Sequence, residues 1–148
     1  MKLTNFSNYA MRSLMFAEMH QHRLVQVQEV ASAFNISKTH LVKCVHQLGQ
    51  WGFIESVRGR NGGFRLARPA EKIFVGQVIR KTEDTLELVE CFNDQTNSCP
   101  LISQCKLSRA LKTAMAAFLA ELDALSLADI TDNKMQLHRL LEISEDNE

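Results

Sequence analysis

The 148-residue chain is 45% hydrophobic and 23% charged, which excludes intrinsic disorder and suits one compact domain, or a small domain with a docking arm. No apolar run approaches the roughly 20 residues that cross a bilayer, and the opening MKLTNFSNYAMRSLMF, broken by Asn, Ser and Arg, is unlike a secretory signal. The expectation is a cytoplasmic protein, and in that reducing compartment clustered cysteines point to a metal or redox site rather than a disulfide framework.

The net charge of zero hides a division. Residues 1–80 hold eleven Lys and Arg against four Asp and Glu, a net of +7, whereas residues 81–148 hold six against thirteen, a net of −7. Such segregation suits a chain with one end facing a polyanion, although solvated charge can also segregate by chance.

In chain order, the first expected element is a helix with Ser7 as N-cap, a Phe6–Met11 staple, and Leu14, Met15 and Met19 on its apolar face. A second short helix fits VQEVASAF, with Val27, Val30, Ala31 and Phe34 on one side. After the break NIS, Ser37 caps a third helix, KTHLVKCVHQLGQWG, which Gly49 and Gly52 end. Leu41, Cys44, Val45 and Leu48 recur at steps of three and four and face inward. Lys38, Thr39, His40 and Lys43 are then left on or near the opposite surface. This pair of helices fits a helix-turn-helix and an ordinary helical hairpin equally well.

The following residues favour the first. FIESV and FRLARP are short β-rich runs around RGRNGG, and Asn61-Gly62 is a hairpin signal because such turns require positive φ. A tip of glycine and arginine can bring Arg58, Arg60 and Arg65 close to phosphates or into a narrow minor groove. A hairpin directly after a helix-turn-helix is the wing of a winged-helix domain. VGQVIRKTED then reads as a brief helix, an irregular cysteine-bearing loop follows, and KLSRALKTAMAAFLAELDALSL is a helix of about six turns. Its stripe of Leu107, Leu111, Ala114, Phe118, Leu122 and Leu125 calls for cover, most simply a two-fold partner helix. The tail adds a further turn or two.

Cys91, Cys99 and Cys105 are spaced Cys-x7-Cys-x5-Cys. Spacing alone leaves open an iron–sulfur cluster, a zinc ion, or redox-active or inert thiols, the wide gaps favouring an object larger than one ion. Cys44, on an inward helix face, behaves as a small hydrophobe. A cysteine-dependent oxidoreductase would want a Cys-x-x-Cys motif and a βαβ pattern, and neither is present, so no enzyme is expected. His40 is assigned to DNA; His20, His22, His46 and His138 read as surface or packing residues.

The stretches MKLTNFSNYAMRSL, HLVKCVHQLGQWGFIESVRGRNGGFRLARP, LVECF and CPLISQCKLSRALKTAMAAFLAELDALSLADI together resemble the Rrf2 family of winged-helix iron–sulfur regulators. SLADITDNKMQLHRLL is most similar to its nitric-oxide-sensing branch, while KTED and ECF also resemble an iron-responsive branch. The resemblance implies a mainly α fold with a small β-hairpin wing. A winged helix-turn-helix would span 1–82, a cluster loop 83–106, and a dimerisation helix with tail 107–148. It further implies a homodimeric repressor on a palindromic operator in double-stranded DNA, contacted by Lys38, Thr39, His40, Lys43, Arg58, Arg60, Asn61, Gly62 and Arg65. Cys91, Cys99 and Cys105 would hold a cluster, four-iron four-sulfur by preference and two-iron two-sulfur as the alternative, with nitric oxide as the signal. Where the branch has a ligating aspartate from the partner subunit, this chain has Asn8, a poorer ligand for iron. The fourth position stays open among Asn8, water, a small thiol and Glu90.

Overall fold

The computed structural model describes residues 1–145, with side chains through residue 142. Helices α1 (Asn5–Met19), α2 (Val27–Phe34) and α3 (Lys38–Gln50) lead into strands β1 (Ile54–Val57) and β2 (Gly63–Leu66). Helix α4 (Val75–Thr82) returns to the core. A loop with a single 3-10 turn at Glu90–Phe92 then precedes α5 (Lys106–Ala124), α6 (Leu127–Ile130) and α7 (Lys134–Glu145). This is the expected mainly helical winged helix-turn-helix with a long helix beyond it.

The core gathers where α1, α2 and α3 meet the hairpin. Leu41, Cys44, Val45 and Leu48 are all buried on α3, as their spacing predicts. Leu14, Val30 and Phe64 join them from the neighbouring elements. Asn35, at φ 50°, turns the chain between α2 and α3, and the Ile36 amide closes on the Ala31 carbonyl at 2.9 Å. The hairpin is antiparallel, pairing Ile54 with Leu66 and Val57 with Gly63. One further bridge, unsuspected from sequence, joins Val25 to Phe64 and ties the wing to the segment before α2.

Several local expectations are corrected. Helix α1 begins one turn earlier than Ser7, because Thr4 is extended and its hydroxyl takes the Ser7 amide at 3.2 Å. Ser7 is consequently inside the helix and fully buried, and Phe6 packs edge-on against Trp51 rather than stapling Met11. Gly49 lies within α3; Gly52, at φ 77°, follows its end. The wing turn is not made by positive φ at Asn61 and Gly62. Gly59 carries it, at φ 117°, and Gly62 is needed for space, since a Cβ there would collide with the Val57 carbonyl. The tail is longer than a turn or two. The twelve residues of α7 pack back on the first helices, with Lys134 Nζ 2.6 Å from the buried Glu18 carboxylate and His138 Nε2 donating to the Met19 carbonyl at 3.3 Å.

Glu83 clamps the start of α1. Its carboxylate accepts from the Thr4 amide (2.8 Å), the Thr4 hydroxyl (3.0 Å) and the Ser7 hydroxyl, which also bonds Thr82 at 2.6 Å. Partial burial pushes the carboxyl up, but the Ser7 and Thr4 hydrogen bonds outweigh it and hold Glu83 below its ordinary value of 4.5. The clamp is therefore complete above about pH 4.5 and fades as pH falls through the lower, folded-state value. Urea unfolding of wild type and E83Q across pH 3 to 7 is expected to show a stability gap that narrows on acidification. Separately, Leu41→Ala, at a fully buried position, is expected to cost about 3 kcal/mol, against less than about 0.5 for the exposed Val42→Ala.

Candidate nucleic-acid interface and thiol loop

The third helix presents its cationic end outward. Lys38, Thr39, His40 and Lys43 are all exposed, and Thr39, Val42, Lys43 and His46 form one solvent-facing stripe at steps of three, one and three. Val42 and His46 were not expected there, although the spacing from Thr39 would have located them. Val42, 48% exposed, offers an apolar surface of the kind that meets a thymine methyl. His40 differs from its neighbours. Its ring stacks on Tyr9 of α1, with centroids 6.4 Å apart and planes 17° from parallel.

On the wing, Arg58, Arg60 and Asn61 are exposed in the loop between β1 and β2. Neither arginine forms an ion pair with another described residue. Arg65 does: its Nε donates to Glu55 at 2.9 Å across the hairpin, where the two residues stand opposite in register. A phosphate would have to compete with that carboxylate for Arg65. Arg68, the last wing arginine, lies over the Phe53 ring at 5.0 Å and is used in packing.

The thiol loop occupies the other end of the chain's charge division. Cys91, Cys99 and Cys105 are free and half-buried. Cys105 is the N-cap of α5, its sulfur accepting the Ser108 amide at 3.3 Å. The Cys91 sulfur lies 3.3 Å from the Ser108 hydroxyl, so one serine draws two of the three thiols together. Cys99 is outside this contact, its amide donating to Asn97 Oδ1 at 3.1 Å. Among the described residues no three His, Cys, Asp or Glu side chains converge as a metal-holding group. The donor chemistry nevertheless fits a cluster: three soft, free thiols within one short segment, Cys105 capping the positive end of a 19-residue helix and Cys91 against its Ser108. Cys44 is excluded. It is fully buried on α3, and burial pushes its thiol up to about 12. Asn8 is exposed on the first turn of α1, and its side chain makes no hydrogen bond among the described residues.

Helix α5 leaves much of its apolar face toward solvent. Its one buried residue is Ser108, while Leu107 is 67% exposed and Leu111, Phe118, Leu122 and Leu125 are only half covered. Arg80 of α4 holds it through Asp123, with Nη2 to Oδ2 at 2.8 Å.

The family model described as "Iron-dependent Transcriptional regulator", Rrf2, matches residues 3–133. This chain belongs to the Rrf2 family. The Rrf2 chain is 44% identical over 142 residues to the HTH-type transcriptional regulator NsrR of Bacillus licheniformis, covering 95% of this chain and 99% of that protein. It is 42% identical to NsrR of Bacillus subtilis, covering 98% and 100%. The fold matches a transcriptional regulator structure from Listeria innocua (TM-score 0.72, 26% identity, covering 89% of this chain and 87% of that one). It also matches CymR of B. subtilis (TM-score 0.73, 24% identity, covering 90% and 98%). The Rrf2 chain is thus a DNA-binding transcriptional regulator and not an enzyme. No described helix is long and apolar enough to cross a membrane.

If Arg58 and Arg60 meet phosphates, R58A and R60A are expected to weaken operator and non-operator DNA alike, each lowering the salt-dependence slope by about one. Fluorescence anisotropy across a salt series measures both effects.

Proposed function

We propose that this chain is a homodimeric repressor that holds a palindromic operator in double-stranded DNA while Cys91, Cys99 and Cys105 carry an iron–sulfur cluster, and that nitric oxide releases it. The observation carrying this reading is the set of three free thiols at the head of α5. A four-iron four-sulfur cluster is the preferred occupant, with a two-iron two-sulfur cluster the alternative. The NsrR relatives support the nitric-oxide branch. When bound, the cluster supplies an iron whose fourth position, lacking a cysteine, is open to a small diatomic ligand. Asn8 of the partner subunit, water, a small thiol and Glu90 are the candidates for that position.

The chain's own residues would do the rest. In this reading residues 1–82 form the DNA-binding unit, 83–106 the cluster loop and 107–148 the dimerisation helix with its tail. The apolar stripe of α5 pairs with its copy and sets the distance between two α3 helices. Lys38, Thr39, His40 and Lys43 enter successive major grooves, while Arg58, Arg60, Asn61, Gly62 and Arg65 engage the backbone or the minor groove. Glu83 joins the start of the thiol loop to the first turn of α1, and Tyr9 joins α1 to His40 on α3. A rearrangement of the loop thus has a contiguous route to the reading helix.

The family model's description as iron-dependent favours a second reading, in which iron or cluster supply is the signal. Anaerobic gel-shift titration of cluster-loaded protein distinguishes the two. Stoichiometric nitric oxide is expected to weaken operator binding roughly a hundredfold, a coupling of about 3 kcal/mol. Unchanged affinity would remove nitric oxide as the signal.

A further inference from the structure

We propose that Ser108 is the positioning residue of the thiol site, holding Cys91 and Cys105 ready as ligands through its hydroxyl and its backbone N–H. This rests on the reading of the three late cysteines as cluster ligands and adds to it a residue that binds no metal itself.

Three observations converge on Ser108. It is 3% exposed and is the one buried residue of α5, with the Cys91 sulfur of the thiol loop against its hydroxyl. It meets both sulfurs at 3.3 Å, its amide donating to Cys105 and its hydroxyl facing Cys91. And Cys105 stands at an N-cap, where Ser, Thr, Asp and Asn are the usual residues because their oxygens bond the N2 or N3 amide. A sulfur in that role orders the cysteine against the helix end.

The chemistry suits both states of the thiol. In the cluster-free chain the Cys91 S–H donates to the Ser108 oxygen. Once the sulfur is deprotonated and bound to iron, it can only accept, and the serine hydroxyl, which carries both a donor and acceptor lone pairs, rotates to donate instead. The amide bond to Cys105 needs no change. Cys99 has no such sulfur partner among the described residues, so two ligands are held in advance and the third closes on the cluster. Hydrogen bonds to cluster sulfurs tune the potential, and partners behind metal ligands govern retention.

The test compares wild type with S108A. Alanine is a better helix former than serine, so α5 is retained while the hydroxyl is lost and the amide kept. In anaerobically loaded protein, S108A is expected to shift the iron–sulfur stretching bands in resonance Raman spectra and to lose iron to a chelator about tenfold faster. In cluster-free wild type, iodoacetamide followed by mass mapping should label Cys91, whose S–H is engaged by Ser108, more slowly than Cys99. In S108A the Cys91 rate should rise about threefold, as for loss of one hydrogen bond, with Cys105 unchanged. Identical bands and iron loss in the two proteins, or Cys91 labelled as fast as Cys99 in wild type, would overturn the role of Ser108 and leave the cluster reading intact. Wild type that binds no iron would overturn both.

Discussion

The Ser7 hydroxyl is fully buried, and the partners it finds join the two charge halves of this molecule. Its oxygen is 0% exposed and lies between Thr82 and Glu83, the last residue of α4 and the first of the thiol-bearing segment. Leaving such a group unsatisfied costs about 1–3 kcal/mol, so α1 cannot readily separate from the residues that begin the loop. The same helix reaches the reading helix through Tyr9 and His40 and the tail through Glu18 and Lys134. Helix α1 thereby touches the reading helix, the start of the thiol-bearing segment and the tail.

The chain is complete as a winged helix and incomplete elsewhere. The wing and reading helix bury most of their apolar residues, Val42 and Val57 excepted, and leave Lys38, Lys43, Arg58 and Arg60 toward solvent, which is what an electrostatic partner requires. Helix α5 differs, leaving Leu107 exposed and Leu111, Phe118 and Leu122 only half covered. Its N-terminus gathers thiols, two of which meet Ser108. A second subunit and a sulfur-seeking inorganic group are the additions that complete these two surfaces in the proposed dimer.

Much of this was legible in the sequence, for identifiable reasons. The inward face of α3 follows from helical periodicity alone, and VQEVASAF coincides with α2 because a strong apolar face is closed by Asn35 in the left-handed region. Features set by contacts distant in sequence were not legible. Thr4 displaces Ser7 as the cap because Ser7 is needed by Thr82 and Glu83, some 75 residues away. Asn61-Gly62 looks like a two-residue turn, yet the register pairs Val57 with Gly63 and gives the positive φ to Gly59. The docking of α7 depends on Glu18, whose burial no local pattern announces. Cys105 and Ser108 did carry a signal, a cap residue followed three positions later by the amide it bonds, but a cysteine is seldom read as a cap.

The proposed cluster-dependent switch is tested most directly by native mass spectrometry of protein purified without oxygen, alone and mixed with its operator duplex. A dimer that carries one iron–sulfur assembly per subunit, with only the loaded species found on DNA, is the predicted result. A chain of apo mass, free of iron and sulfide, that occupies the duplex as fully as any loaded form would contradict it.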